Sequence, residues 1–481
     1  MLALIGDGAL TGGLAYEGLN NAGASHEHLI VIVNDNGMSI DPNVGALPRH
    51  LAQLRAKPAY YHFKKWYRRL FGANPVQSPI YRFNHRLKTE LKKALWPSST
   101  LFEDMGFTYL GPIDGHDLPR LCDMLQWAKE LTGPVVVHVH TQKGKGYPFA
   151  ERNPGKFHGI APFDPQTGLT LQPGGETFSS TFGKTLTDCA AESEKVCAIT
   201  AAMEDGTGLA VFAKAYPERL FDVGIAEGHA VSMAAGMAKQ GMIPVFAVYS
   251  TFLQRSYDML FHDVALQKLH VVLGVDRAGL VGADGETHHG CLDISYLTGI
   301  PGFTVLCPSS LSELRSMTRQ ALFEIQGPVA LRYPRGGEGH FTQDTGSQAV
   351  VRLRDGHQAV LVSYGILINQ VLDAAERLER DGISTRVVKL NRIAPLDTSA
   401  LLRELDGADT VLVLEDCFEN GSIGQQIAAL LAESGRQCRR VILQNLKDRF
   451  VPEGTVEQLQ ERFGLDADGV YRAVKEALSR E

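Results

Sequence analysis

What this chain has little of narrows its class before any motif is considered. Cysteine is sparse and unpaired in sequence: Cys122, Cys189, Cys197, Cys291, Cys307, Cys417 and Cys438 are scattered with no CxxC pair. That spacing argues against a zinc knuckle or a disulfide framework and makes a reducing cytoplasm the expected location. Basic residues do not dominate, since 47 Lys and Arg stand against 54 Asp and Glu, for a net charge of -7 and a pI near 6.2. No overall positive field therefore exists to gather nucleic acid or to hold the chain on an acidic membrane. There is no apolar run long enough to cross a bilayer, no short repeat and no low-complexity tract. Met1 is followed at once by an apolar strand-like segment, without a basic region or a cleavage site, so a targeting peptide is not expected.

What is there reads as a globular, enzyme-like body. Hydrophobic residues make up 44%, charged residues 21%, and 49 glycines imply many tight turns. A length of 481 residues suggests about three domains, each large enough to bury a core. Apolar runs of strand length alternate with helix-period segments, the pattern of an α/β protein with mainly parallel sheets covered by helices. Expected strands are Leu2–Ile5, His28–Val33, Val135–Thr141, Lys195–Thr200, Phe221–Ile225, Ile243–Tyr249, His270–Val275, Phe303–Cys307, Val329–Tyr333, Ala359–Ser363, Thr385–Leu390 and Thr410–Glu415. Two stretches, Pro162–Gly175 and Gly336–Gln348, are rich in Gly and polar residues, the first also in Pro, and read as linkers. They divide the chain into domains at 1–176, 177–345 and 346–481.

Chemistry appears first at two adjacent strand ends. Gly6-Asp7-Gly8 follows the first strand and Asn34-Asp35-Asn36 follows the second. A carboxylate and an amide on neighbouring strand ends, with glycines that let the backbone approach, suit a hard divalent cation holding a diphosphate. Asp7 and Asn36 would supply side-chain oxygens to Mg2+ and Met38 its backbone carbonyl. Gly8 and Ala9 would lead into a helix, Leu10–Ala22, whose free N–H groups can receive a phosphate. A GDG tripeptide alone is more often a turn; the asparagine at the next strand end is what favours the metal reading.

Seven further stretches sharpen this. They are NDNGMSIDPNVGAL (Asn34–Leu47), GPIDGHD (Gly111–Asp117), KGKGY (Lys143–Tyr147), AEGHAV (Ala226–Val231), YSTFLQRSYD (Tyr249–Asp258), DRAGLVGADGETHHG (Asp276–Gly290) and RYPRG (Arg332–Gly336). In kind and order they resemble the 1-deoxy-D-xylulose-5-phosphate synthase family of transketolase-like thiamine diphosphate enzymes, over nearly the whole chain. The resemblance implies a transferase, a homodimer, and thiamine diphosphate with Mg2+ as cofactors. The implied reaction condenses pyruvate with D-glyceraldehyde 3-phosphate to 1-deoxy-D-xylulose 5-phosphate and CO2, a precursor for isoprenoids, thiamine and pyridoxal.

Residue roles follow from the same likeness. Glu227 matches the glutamate that bonds the cofactor's aminopyrimidine, although a glutamate opening a helix is also favoured there by the helix dipole. Phe252 resembles the ring stacked on the pyrimidine, with a core aromatic as the plainer alternative, and Tyr147 resembles a further cofactor contact. Arg277 and Arg335 match phosphate-binding arginines of the acceptor site, with Tyr249 and Arg255 nearby in the same motifs. Asp284 and His288, on the Gly282–Gly290 loop, match residues that handle the acceptor's hydroxyl and carbonyl groups; the adjacent His289 leaves open which ring faces the site. His158 resembles a histidine that reaches the reaction centre.

In the family a leading segment of the first domain precedes the GDG motif, so the first domain is expected to be incomplete here. The chain would then be completed by a separate N-terminal polypeptide, come from a longer reading frame, or be a shortened fragment inactive alone. A transketolase or a two-carbon dehydrogenase subunit would use the same Asp7, Asn36 and Glu227, but NVGAL and STFLQRSYD favour the synthase. The basic aromatic stretch KKWYRRLF (Lys64–Phe71), with His85–Lys93 after it, reads as charged helix faces rather than a nucleic-acid patch.

Overall fold

A computed structural model describes residues 1–40, 42–55, 100–171, 175–435 and 438–479. The KKWYRRLF and His85–Lys93 stretches lie outside these described residues. The chain forms two compact units, Met1–Gln172 with Gly224–Ala226, and Pro173–Val223 with Glu227–Glu481.

The first unit is built on a four-stranded parallel sheet of β1 (Leu2–Gly6), β2 (Ile30–Asp35), β3 (Thr108–Asp114) and β4 (Val135–His140), in the order β1-β2-β4-β3. Parallel strands covered on both faces need apolar side chains on both, which explains the unbroken VVVHV of β4. Val31, Val33 and Val136 face one layer with Leu10, Phe102 and Phe107, whereas Ile30, Val135 and Val137 face the other with Leu110 and Ala128. At the opposite extreme, β1 is an edge strand and its Leu2 and Leu4 are 57% and 71% exposed.

The second unit carries two sheets. The first comprises β5 (Val196–Thr200), β6 (Leu220–Asp222), β7 (Ile243–Tyr249), β8 (Val272–Asp276), β9 (Thr304–Leu306) and β10 (Val329–Arg332), all parallel in the order β9-β10-β8-β7-β5-β6. The other comprises β11 (Val350–Arg354), β12 (Ala359–Ser363), β13 (Thr385–Leu390), β15 (Thr410–Leu414) and β16 (Arg440–Gln444), parallel except for β11. Between β13 and β15 the short β14 (Arg392–Ala394) leaves this sheet and pairs antiparallel with β9. A buried Arg332, bonded to Asp293 at 2.9 Å and to Asp416 at 3.0 Å, ties the two sheets' layers together. No described helix is long and apolar enough to cross a membrane.

The α/β architecture with mainly parallel sheets is as expected, and several boundaries differ. The Leu10–Ala22 helix starts later: Gly8–Thr11 is a single 3-10 turn, Gly12 is extended, and the α-helix runs Gly13–Ser25. The strand before Glu227 ends at Asp222 rather than Ile225. β3, β11, β14 and β16 were not anticipated, because GPIDG carries turn residues, VVRLR and RVILQ are only half buried, and Arg392–Ala394 is three residues long.

Candidate functional site

Most of the chemistry-bearing residues stand at carboxyl ends of parallel strands, where the strands stop and loops converge, the usual place for ligands in open α/β sheets. In the first unit, Asp7 follows β1 and Asn36 follows β2, in register because Gly6 pairs with Asn34. The Asp7 side chain is buried and accepts a hydrogen bond from the Gly37 N–H at 2.8 Å, a donor presented by the positive φ of Gly37. Burial, and the neighbouring Asp35 carboxyl, push the Asp7 pKa up to about 6. Asn36 Oδ1 accepts from the Met38 N–H at 3.0 Å, which places Asn36 and Met38 on one short turn whose Gly37 N–H meets Asp7. Behind them the buried Asp35 accepts from His138 Nε2 at 2.8 Å, and Tyr109 meets Nδ1 at 2.6 Å.

These residues fit a cation-bound diphosphate. A carboxylate whose charge is opposed by burial and by a second carboxyl gains from a divalent cation beside it. A β-carbon at Gly8 would stand 3.0 Å from both Asn43 Oδ1 and Ser39 Cβ, so glycine keeps the backbone close to those side chains without crowding. The Asn43 amide nitrogen close by is buried with no hydrogen-bond partner among the described residues, a donor ready for an anion. No group of three His, Cys, Asp or Glu side chains suited to a metal occurs among the described residues. Asp7, Asn36, the Met38 carbonyl and the diphosphate itself are the groups that could hold such a cation. Ala9 lies in the 3-10 turn after Asp7, so the N–H groups near a phosphate belong to that turn and not to a long helix.

Tyr147 lies in a cluster of aromatic rings. The Tyr147 hydroxyl donates to Pro165 O at 2.9 Å and its ring packs among Phe149, Phe157 and Phe163. His158 is exposed, next to that aromatic cluster in sequence. In the same stretch Lys143 donates to Ser39 O.

In the second unit the matched residues form one continuous chain of contacts. Glu227 opens the helix Glu227–Lys239 and is 4% exposed. Both its oxygens accept from Arg255 Nη1, at 3.1 and 3.2 Å, and the guanidinium of Arg255 lies 5.6 Å from the Phe252 ring centre. Arg255, named from its motif alongside Tyr249, thus bonds the buried carboxylate of Glu227. Phe252 stacks on Tyr249 at 5.8 Å and meets His288 edge-on at 5.4 Å. Arg277, held at φ +56° just beyond β8, lies 3.9 Å over the Tyr249 ring.

Asp284 joins the two arginines: its oxygens pair with Arg277 at 2.6 Å and Arg335 at 2.9 Å. Burial lowers the His288 pKa, opposed by the neighbouring Asp284 carboxylate. His289, by contrast, has both nitrogens on backbone groups, accepting from the Val281 N–H and facing Pro452 O, each at 3.2 Å. His288 is thus the ring grouped with Phe252. Sequence reasoning missed the Arg255–Glu227 pair and the His138–Asp35 pair. The signal for the second was a histidine inside a strand otherwise buried on both faces.

Comparisons with known proteins agree with this architecture along the chain. Residues 176–337 match the family profile described as "Transketolase, pyrimidine binding domain" and residues 348–470 "Transketolase, C-terminal domain". Residues 1–141 match "1-deoxy-D-xylulose-5-phosphate synthase". The fold is also that of a transketolase from Campylobacter jejuni, at a TM-score of 0.54 and 16% identity over 99% of this chain and 77% of that one. A structure titled "Split gene transketolase, inactive beta4 tetramer" aligns at a TM-score of 0.57 and 29% identity, covering 63% of this chain and 99% of that one. The class is that of transketolase-type transferases, which depend on thiamine diphosphate and Mg2+.

Within that class the 1-deoxy-D-xylulose-5-phosphate synthase of Caldanaerobacter subterraneus is 44% identical over 98% of this chain and 76% of its own length. The one from Clostridium kluyveri is 45% identical over 99% and 77%. The chain belongs to the 1-deoxy-D-xylulose-5-phosphate synthase family.

Proposed function

We propose that this protein condenses pyruvate with D-glyceraldehyde 3-phosphate, releasing CO2 and forming 1-deoxy-D-xylulose 5-phosphate. When bound, thiamine diphosphate supplies the electron sink that decarboxylation of a 2-oxo acid and carbon–carbon bond formation require. Asp7, Asn36 and the Met38 carbonyl hold Mg2+, while Gly8 and Ala9 admit the diphosphate. Glu227 holds a proton at the pyrimidine, Phe252 stacks on that ring, and Tyr147 contacts the cofactor. Arg277 and Arg335 bind the acceptor phosphate, Asp284 takes its hydroxyl groups, and Tyr249 supports Arg277. His288 and His158 move protons at the reacting carbonyl groups. The same reading includes domains at 1–176, 177–345 and 346–481, a homodimer and a cytoplasmic location.

The observation that carries the reading is the Arg277–Asp284–Arg335 bridge beside His288 and Phe252. Two guanidinium groups on one carboxylate leave an excess positive charge that a phosphate dianion complements. Arg335→Ala should raise KM for D-glyceraldehyde 3-phosphate by about 10- to 100-fold, since a charge-assisted pair contributes roughly 1.5–3 kcal/mol, and leave KM for pyruvate near its original value. An unchanged acceptor dependence in steady-state kinetics refutes the assignment.

A second reading concerns completeness. The exposed apolar edge at β1 supports pairing of that strand with further polypeptide, covalent or separate, without which the chain does not turn over. Adding the leading segment of a relative to the purified chain tests this, because rescue of activity requires such pairing.

A further inference from the structure

The loop that carries Asp284 and His288 is fixed at its base and along its side. At the base Gly279 and Gly290 exchange two backbone hydrogen bonds of 2.8 Å. Along the side stands His289. The Val281 N–H donates to His289 Nδ1 at 3.2 Å, and His289 Nε2 lies 3.2 Å from the Pro452 carbonyl oxygen, which follows β16. A carbonyl oxygen only accepts, so Nε2 carries a proton; an N–H only donates, so Nδ1 is bare. A single neutral tautomer satisfies both partners. The same stretch presses on the start of the loop, where a β-carbon at Gly282 would stand 3.2 Å from Gly454 O and 3.3 Å from Val456 N. Val281 is held on its other side too, since its carbonyl accepts from Arg335 Nη1 at 3.2 Å.

We infer that His289 is a positioning residue for the acceptor site: it ties the Gly279–Gly290 loop to the Pro452–Val456 segment and so fixes Asp284 against the two arginines and His288 against Phe252. It does not touch substrate, because both ring nitrogens are occupied by backbone. The inference rests on the acceptor-site reading above and adds to it a residue and a segment beyond β16 that it does not use.

A glutamine can replace both bonds, accepting with its oxygen and donating with its nitrogen, whereas leucine can make neither. Hydrogen–deuterium exchange is measured on the full chain with Mg2+ and thiamine diphosphate, beside steady-state kinetics with the leading segment of a relative added. Losing two neutral hydrogen bonds in His289→Leu should speed exchange across the Val281–Gly290 peptide and raise KM for D-glyceraldehyde 3-phosphate, each by about tenfold. Values of kcat and of KM for pyruvate should stay within about twofold. His289→Gln should match the unsubstituted protein in both readouts. Leucine-variant exchange equal to that of the unsubstituted protein, or a glutamine variant as impaired as the leucine one, overturns the inference. If the leucine variant does not fold, His289→Asn replaces it, since its shorter side chain does not span both partners. Failure of the unsubstituted protein to form product rejects the functional reading instead, and the exchange comparison still decides the role of His289.

Discussion

Asp276 shows how much an individual side chain at the end of β8 is strained by its surroundings. It is fully buried in the register row with Tyr249, between the strand and Arg277. Burial above all pushes its pKa from 3.8 up to about 7, with Ser179 and Arg277 opposing that rise. A raised carboxyl pKa means that the folded state holds the proton more tightly than the unfolded chain. Its contribution to stability is full below about pH 4 and is lost as pH rises through about 7. Asp276→Asn cannot ionise, so the fall in unfolding free energy between pH 4 and 8 should shrink by up to about 4 kcal/mol, the equivalent of three pKa units. Chemical denaturation at several pH values checks this, and parallel pH profiles for the two proteins contradict it. At this scale the placement of Asp7, Asn36 and Arg277 just beyond strand ends was legible, because each follows an apolar run directly in the sequence. The partner of Arg255 was not legible, because a sequence cannot tell which of several nearby carboxylates and anions a long cationic side chain reaches.

Elements were readable wherever composition and period agreed. The buried parallel strands β4, β7, β12 and β13 stand within a residue of expectation, because a run of Val, Ile and Leu wet on neither face has few alternatives to a parallel sheet. Edge and short strands were not, since their side chains are half exposed and their pairing depends on a neighbour distant in sequence. Helix starts depend on local capping, as at Phe178–Glu192. There the Thr177 hydroxyl accepts from the Ser180 N–H at 3.1 Å and Ser180 Oγ accepts from the Thr177 N–H at 2.9 Å. That helix buries Phe178 and Phe182 against Tyr333 at the end of β10. Thr177→Ala should therefore cost about 1 kcal/mol of stability. Kinetic constants should not change, as no contact of Thr177 reaches the acceptor arginines. Thermal unfolding with paired kinetics tests both halves, and an unaltered melting temperature would show that the cap contributes nothing.

For the molecule as a whole, the sequence pointed to an α/β transketolase-type chain, and three family profiles match successive stretches of it. What the sequence did not disclose is how the last sheet's layer serves the middle one. β14 extends the middle sheet, Asp416 reaches the buried Arg332, and Pro452 meets His289. These are long-range contacts between segments whose own patterns fit many partners. The most direct measurement supplies 13C-labelled pyruvate and D-glyceraldehyde 3-phosphate, with Mg2+ and thiamine diphosphate, to the protein alone and with a relative's leading segment added. Nuclear magnetic resonance follows the label. The account predicts labelled 1-deoxy-D-xylulose 5-phosphate and CO2, with turnover lowered at least about 100-fold by Glu227→Ala in a protein that still folds. No product under those conditions, or full turnover in the alanine variant, would contradict it.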